Sequence, residues 1–297
     1  MKTIFVAISA VLLWSLLSVI SRILLVNLGL DPWNFSFLQL VAGGGVLLLA
    51  GWRGGHALSS FTRPSTWVLG ALRVLSAALY TAVIASISVL EAGVIGAMNL
   101  PVVAVFVWGL THRQPSGIAW AGHVIVILAV VLMAGRLEPG MRGLAVGLML
   151  LNAICLAAMN LIAERHPENT GGTPAARIWF SGVVLAVTAS LFLGARLIQG
   201  GHVTGMLDPA LLLAGLGVGV FLRAPSMFLT FSAIKMAGAQ SYTAAIALLP
   251  LFGMVFEQTS VWFGFLDVSR FQFANVCIAI LALGGSLMVW SAKLPLR

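Results

Sequence analysis

Long apolar runs fill this chain, and the polar residues inside them fall at helical spacing. Two runs set the pattern: Trp67 to Leu90 carries Arg73, Ser76 and Tyr80, and Leu211 to Ile234 carries Arg223, Ser226 and Thr230. In each, the three polar residues stand at i, i+3 and i+7, on one face of a helix. Each member of the second set lies 150 positions after its counterpart (73 to 223, 76 to 226, 80 to 230). Two readings are open: coincidence between two leucine-rich helices, or an internal repeat that builds a polar site at its interface. A guanidinium deep in an apolar run is costly in lipid unless it faces protein or a wet cavity.

A bilayer core takes about 20 apolar residues per helix. Cutting the chain at glycine, proline and charge clusters predicts ten spans, at 3–26, 33–52, 66–88, 92–110, 117–135, 142–163, 175–197, 211–234, 239–262 and 272–291. The fold class expected is therefore an all-α membrane protein. Ten divides into five and five, with the break near Glu138-Pro139-Gly140, giving repeats over residues 1–138 and 139–297. Because five is odd, the second repeat enters the membrane from the opposite face, as in many secondary transporters.

Composition agrees with a membrane location: 60% of residues are hydrophobic and 8% charged, with a mean hydropathy of +1.07. That is too little charge to cover a water-exposed surface. The net charge of +8 is scattered singly and forms no basic stripe, which argues against nucleic acid and for cationic helix ends near anionic lipid. Cys155 and Cys277 sit inside apolar runs and do not suggest a disulfide framework. The apolar run after Lys2 is too long for a signal peptide and lacks a clear cleavage site, so it reads as a retained first span.

With the N-terminus inside, cytoplasmic segments hold Lys2, Arg53, Arg63, Arg113, Arg165, Lys235, Lys293 and Arg297. The opposite loops hold Arg136, Arg142, Arg196 and Arg270, with Asp31, Glu91, Glu138, Asp208 and Asp267. The positive-inside bias places both termini in the cytoplasm.

Soluble-enzyme signatures are missing: there is no P-loop, HExxH, G-x-S-x-G or paired-cysteine motif, and His56, His112, His123, His166 and His202 do not cluster. Neither enzyme activity, a cofactor nor a metal is expected. The candidate chemistry lies in the polar groups within the spans. Trp14, Ser18 and Ser21 share a face of the first span, as helix contacts or as cavity lining. Asn152 and Asn160 are two turns apart in the sixth span and need partners if buried. Asn99 precedes Pro101, whose missing N–H frees a carbonyl; Pro250 in the ninth span and Pro225 beside Arg223 raise the same prospect of kinked or broken helices. Glu257 is the acid clearly inside a span, a candidate for proton or cation coupling or for an ion pair with an arginine. Arg73 and Arg223 suit bidentate recognition of a carboxylate or phosphate. Tyr80, Trp108 and Trp179 are possible aromatic walls, although such residues also serve as packing or interface anchors.

The chain resembles the drug/metabolite transporter superfamily, in particular its ten-helix EamA-type members, over essentially its full length. The resemblance rests on the five-plus-five spans, the Leu-Leu-Trp14-Ser15 stretch with Arg22 ending the first helix, Pro101-Val-Val-Ala, Gly122 opening its apolar run, Pro250-Leu-Phe-Gly, and the small-residue stretch Ala282 to Met288. Where the family carries a glutamate after the fourth span this chain has Gln114, and the nearest match in the second half, Asp267, is displaced by about one helical turn. The resemblance implies a central substrate cavity lined by helices one, three, four, six, eight and nine, and export of amino acids or related metabolites by alternating access across a bacterial-type inner membrane, with protons as a possible coupling ion. Rival readings are a transporter of amines or quaternary ammonium compounds, using aromatics and Glu257, and a non-transporting scaffold or sensor.

Overall fold

The computed structural model describes residues 2–52, 58–84, 87–112, 114–171, 173–200, 205–266 and 272–292. Arg53, His56, Arg113, His202, Asp267, Arg270, Lys293 and Arg297 lie outside them. The described chain is helical. Helix α1 is Lys2–Leu28, α2 Pro32–Gly51 and α3 Pro64–Ile84; α4 comes in two pieces, Val89–Gly96 and Asn99–Thr111. Then follow α5 (Gly117–Arg136), α6 (Pro139–Arg165) and α7 (Pro174–Ile198). Helix α8 runs from Pro209 to Ala237 with a π-helical turn at Gly219–Arg223, α9 again has two pieces, Ala239–Ile246 and Leu249–Trp262, and α10 is Phe273–Ser291.

Nine segments among the described residues are long and apolar enough to cross a membrane. The exception to the expected ten is α3, which carries Arg73: it is a helix of 21 residues but is not one of the nine. Exposed leucine, isoleucine, valine and phenylalanine side chains such as Val124, Leu128, Val131 and Leu213 cover the outside of the bundle, the surface a hydrocarbon solvent requires.

Starts and stops follow local chemistry. Asp31 accepts from the Asn34 N–H ahead of α2, Ser116 from Ala119 ahead of α5, and Thr173 from Ala176 ahead of α7. Prolines open α2, α3, α6, α7 and α8, where a missing N–H costs no helical bond. Gly238, at φ +81, makes the turn from α8 into α9.

Helix pairing has an internal regularity. The pairs α2/α7, α5/α10 and α4/α9 each join a helix to the one five places later. The remaining main pairs exchange under the same shift: α1/α8 with α3/α6, α1/α9 with α4/α6, and α2/α8 with α3/α7. Two of the self-matched seams run backbone on backbone. A Cβ on Gly122 would stand 2.5 Å from the Gly285 carbonyl oxygen, and one on Gly285 would stand 2.7 Å from that of Gly122. On the α2/α7 seam, a Cβ on Gly182 would meet the Leu48 nitrogen at 2.7 Å and the Gly44 oxygen at 3.0 Å. Small residues at crossings permit this close approach, which is how helices associate in lipid, where no hydrophobic force drives them together.

Candidate functional site

The two arginines singled out by the repeated spacing come together. Trp14, half-buried on α1, has the Arg73 guanidinium carbon 5.5 Å from its ring centroid and that of Arg223 at 5.1 Å. The two groups are therefore no farther apart than the sum of those distances. Both arginines are half-buried. Among the described residues, the ion pairs formed are Arg22–Glu257, Arg63–Glu168 and Arg196–Asp31, none of which involves Arg73 or Arg223. The Nε of Arg223 is buried and without a hydrogen-bond partner.

The Trp14 ring is fixed by its own polar edge. Its Nε1 donates to Thr230 Oγ1 on α8 at 2.8 Å, and Thr230 is 2.9 Å from the Tyr242 hydroxyl on α9. Ser15, buried on α1, donates to the Leu249 carbonyl at 3.0 Å, where α9 restarts after its break. An edge-bound indole offers both faces to cations, and a guanidinium over an aromatic face is attracted by the ring quadrupole. This attraction does not neutralise the charge.

Two backbone irregularities adjoin these groups: the π turn ends at Arg223, and α9 restarts at Leu249, which Ser15 bonds. Helices α4 and α9 break at Ala97–Met98 and Ala247–Leu248, again 150 positions apart (97 to 247), as the prolines at 101 and 250 suggested. The π turn ends at Arg223, two residues before Pro225, which has no N–H to give the Phe221 carbonyl. Gly219 makes the turn possible beside α2, since a Cβ there would stand 2.7 Å from the Gln39 carbonyl oxygen.

Other sequence candidates are placed as follows. Ser76 donates to Asn152 Oδ1 at 2.6 Å, joining α3 to α6. Asn160 bonds Thr243 on α9 instead, so the two asparagines of α6 serve different neighbours. Asn99 is buried at the α4 break with an unpartnered Nδ2. The hydroxyls of Ser18 and Ser226 bond carbonyls of their own helices, those of Trp14 and Arg223. Tyr80 is half-buried on α3, within electrostatic range of Glu257. Glu257 is paired with Arg22 of α1, both half-buried.

Two aromatic candidates are not in this group. Trp179 is buried in an apolar cluster with Val183 and Val187, edge-on to Trp52 and Phe61, because its face of α7 meets the end of α2 rather than α1. Trp108 packs edge-on to Trp120 and is 38% exposed, on the outer face of the bundle. Tyr242, with Tyr80 one of the two tyrosines in the chain, is not among the sequence candidates, because it stands in the polar run Gln240 to Thr243 rather than in the repeated spacing.

A cleft of about 380 Å³ lies elsewhere, between the ends of α4 and α6. Phe106, Leu110, Leu161 and Ile162 line it, with Arg165 and His166 at its edge. The His166 ring stacks on Phe180, accepts from the Glu168 N–H at Nδ1, and lies 3.3 Å from Thr66 Oγ1 at Nε2. Burial, helped by nearby Arg63, holds its pKa down at about 4.

The chain can now be set beside known proteins. The EamA-like transporter family matches residues 1–135. No curated protein matches the chain. A solved crystal structure, described only as that of a protein, superimposes with a TM-score of 0.71 over 99% of this chain and 99% of its own at 19% identity, which shows a shared fold and nothing more. The apolar multi-pass bundle is that of a membrane protein, and its first 135 residues are similar to the EamA-like transporter family.

Proposed function

We propose that the chain is a secondary active transporter exporting a small carboxylate-bearing metabolite, an amino acid or related compound, by alternating access between inverted repeats 1–138 and 139–297. The observation that carries this reading is the pair of guanidinium groups on Trp14, without an acid partner among the described residues. Nothing in the packing requires two unpaired cations in an apolar bundle, whereas recognition of an anion does. Arg73 and Arg223 hold the carboxylate, Trp14 forms the wall, and Thr230, Ser76 and Asn99 supply hydrogen-bonding groups around it.

The recurrence of the most extensive helix pairings under a five-helix shift supports the two-repeat reading. In this reading both termini are cytoplasmic in a bacterial-type inner membrane, and Arg22–Glu257 closes the α1/α9 seam toward the outer end. Glu257 then exchanges Arg22 for a proton or another cation when that seam parts. Amines and quaternary ammonium compounds are disfavoured, because two like charges already stand against the indole they would use.

Purified protein in liposomes should show substrate counterflow, and Arg223→Ala should lower it at least about tenfold, roughly 1.4 kcal/mol of lost interaction. Undiminished counterflow in that variant overturns the site. Complete lack of counterflow with any small molecule overturns transport in favour of a scaffold.

A further inference from the structure

The charges around Trp14 narrow the substrate further. This step rests on the two-arginine transporter reading above and departs from its amino-acid cargo. We infer that the cargo is an organic dianion carrying two acidic groups, of dicarboxylate type, rather than a monoanion or a zwitterion.

Of the eight Asp and Glu residues in the chain, Glu257 is bound to Arg22, Asp31 to Arg196 and Glu168 to Arg63. Glu91 is taken up by Ser88 and by Asn275, and Asp208 caps α8. Glu138 and Glu164 belong to the two ends of α6, away from its middle where Asn152 bonds Ser76. Asp267 lies outside the described residues. Among the described residues no acid pairs with Arg73 or Arg223, and the two bring two positive charges to one indole.

A monocarboxylate would cancel one of these charges. A zwitterionic amino acid would do the same and bring an ammonium group, for which the described site offers no acid. A dianion leaves the loaded site neutral and gives each guanidinium fork its own carboxylate, the planar partner it matches in two parallel hydrogen bonds. Arg223 also has a donor to spare: its Nε is buried without an acceptor. Ligand oxygens on two separated groups would answer both arginines, and a flat carbon chain between them would lie along the Trp14 ring.

The test uses the purified full-length protein at constant ionic strength. Thermal stability is followed with four-to-six-carbon dicarboxylates, the matching monocarboxylates, neutral zwitterionic amino acids and inorganic phosphate. The dicarboxylates should stabilise at concentrations at least tenfold lower than any monocarboxylate or zwitterion. Arg73→Gln should erase that preference, while Arg73→Lys, which keeps the charge, should retain most of it even if its affinity falls. Equal or better stabilisation by a monocarboxylate or zwitterion overturns the dianion assignment. If such a ligand also shows counterflow that Arg223→Ala abolishes, the transporter reading stands while this one falls. Stabilisation by phosphate with inert dicarboxylates overturns the two-group geometry.

Discussion

Two seams of the bundle occupy matching places and differ in chemistry. Helices α1 and α6 are each 27 residues long, and the breaks of α4 and α9 lie 150 positions apart. Counted from these landmarks, Arg22 on α1 corresponds to Met159 on α6, and Glu257 on α9 to Val107 on α4. The α1/α9 seam is bolted by the ion pair near the Leu28 end. The α6/α4 seam, at the other end, has two apolar residues at those places and opens into the cleft lined by Phe106 and Ile162. The difference teaches that two helix pairs on matching paths can meet through an ion pair at one seam and through apolar side chains at the other. The ion pair joins α1 to α9 near Leu28, and the cleft lies between α4 and α6 near Arg165.

The strongest way to break this comparison is Arg22→Glu. It faces Glu257 with a like charge, and loss of a half-buried pair should cost roughly 3 to 5 kcal/mol at that seam. Counterflow should fall, and a maleimide should label Ser18→Cys faster in a variant background without the native cysteines. The double exchange Arg22→Glu with Glu257→Arg should restore both readings. Labelling that stays unchanged in the single variant would show the pair is not the bolt.

A smaller effect is expected from pH at the parted seam. His166 titrates near 4 in the folded protein against 6.5 for the free group, so the unfolded chain takes up the proton first. Stability is then complete above pH 6.5 and is lost as pH falls toward 4, by roughly 3 kcal/mol over that interval. Thermal midpoints measured across the range should drop less in His166→Phe than in the natural chain. Parallel curves would mean the ring is not held neutral.

The mildest test copies the bolt to the other end. Met159→Arg with Val107→Glu should draw α6 and α4 together by about 1 kcal/mol, the scale of a partly solvated pair. Labelling of Ile162→Cys should slow several-fold, and each single substitution should leave it nearer the starting rate.

Much of the site was legible because it repeats. The i, i+3, i+7 spacing picks out Arg73 and Arg223 in the sequence alone, and Pro101 and Pro250 mark the broken helices to within a few residues. Face assignment was harder. Periodicity says that Trp179 shares a face of α7, but α2 and not α1 covers that face. Ser18 and Ser226 look like free donors in the sequence, yet in a helix a serine can bond the carbonyl one turn back, and both do. The partner of Glu257 was equally hidden, since Arg22 stands 235 positions away and only the α1/α9 contact brings them together.

The glycine seams carry one more consequence. Where α5 crosses α10 and α7 crosses α2, main chains approach directly, with the side chains of Val289 and Leu48 packed beside them. A close main-chain crossing of this kind can act as a pivot, because moving the helices apart loses the packing that holds them together in lipid. Rocking of the remaining helices would therefore turn about two fixed points built from the smallest residue available.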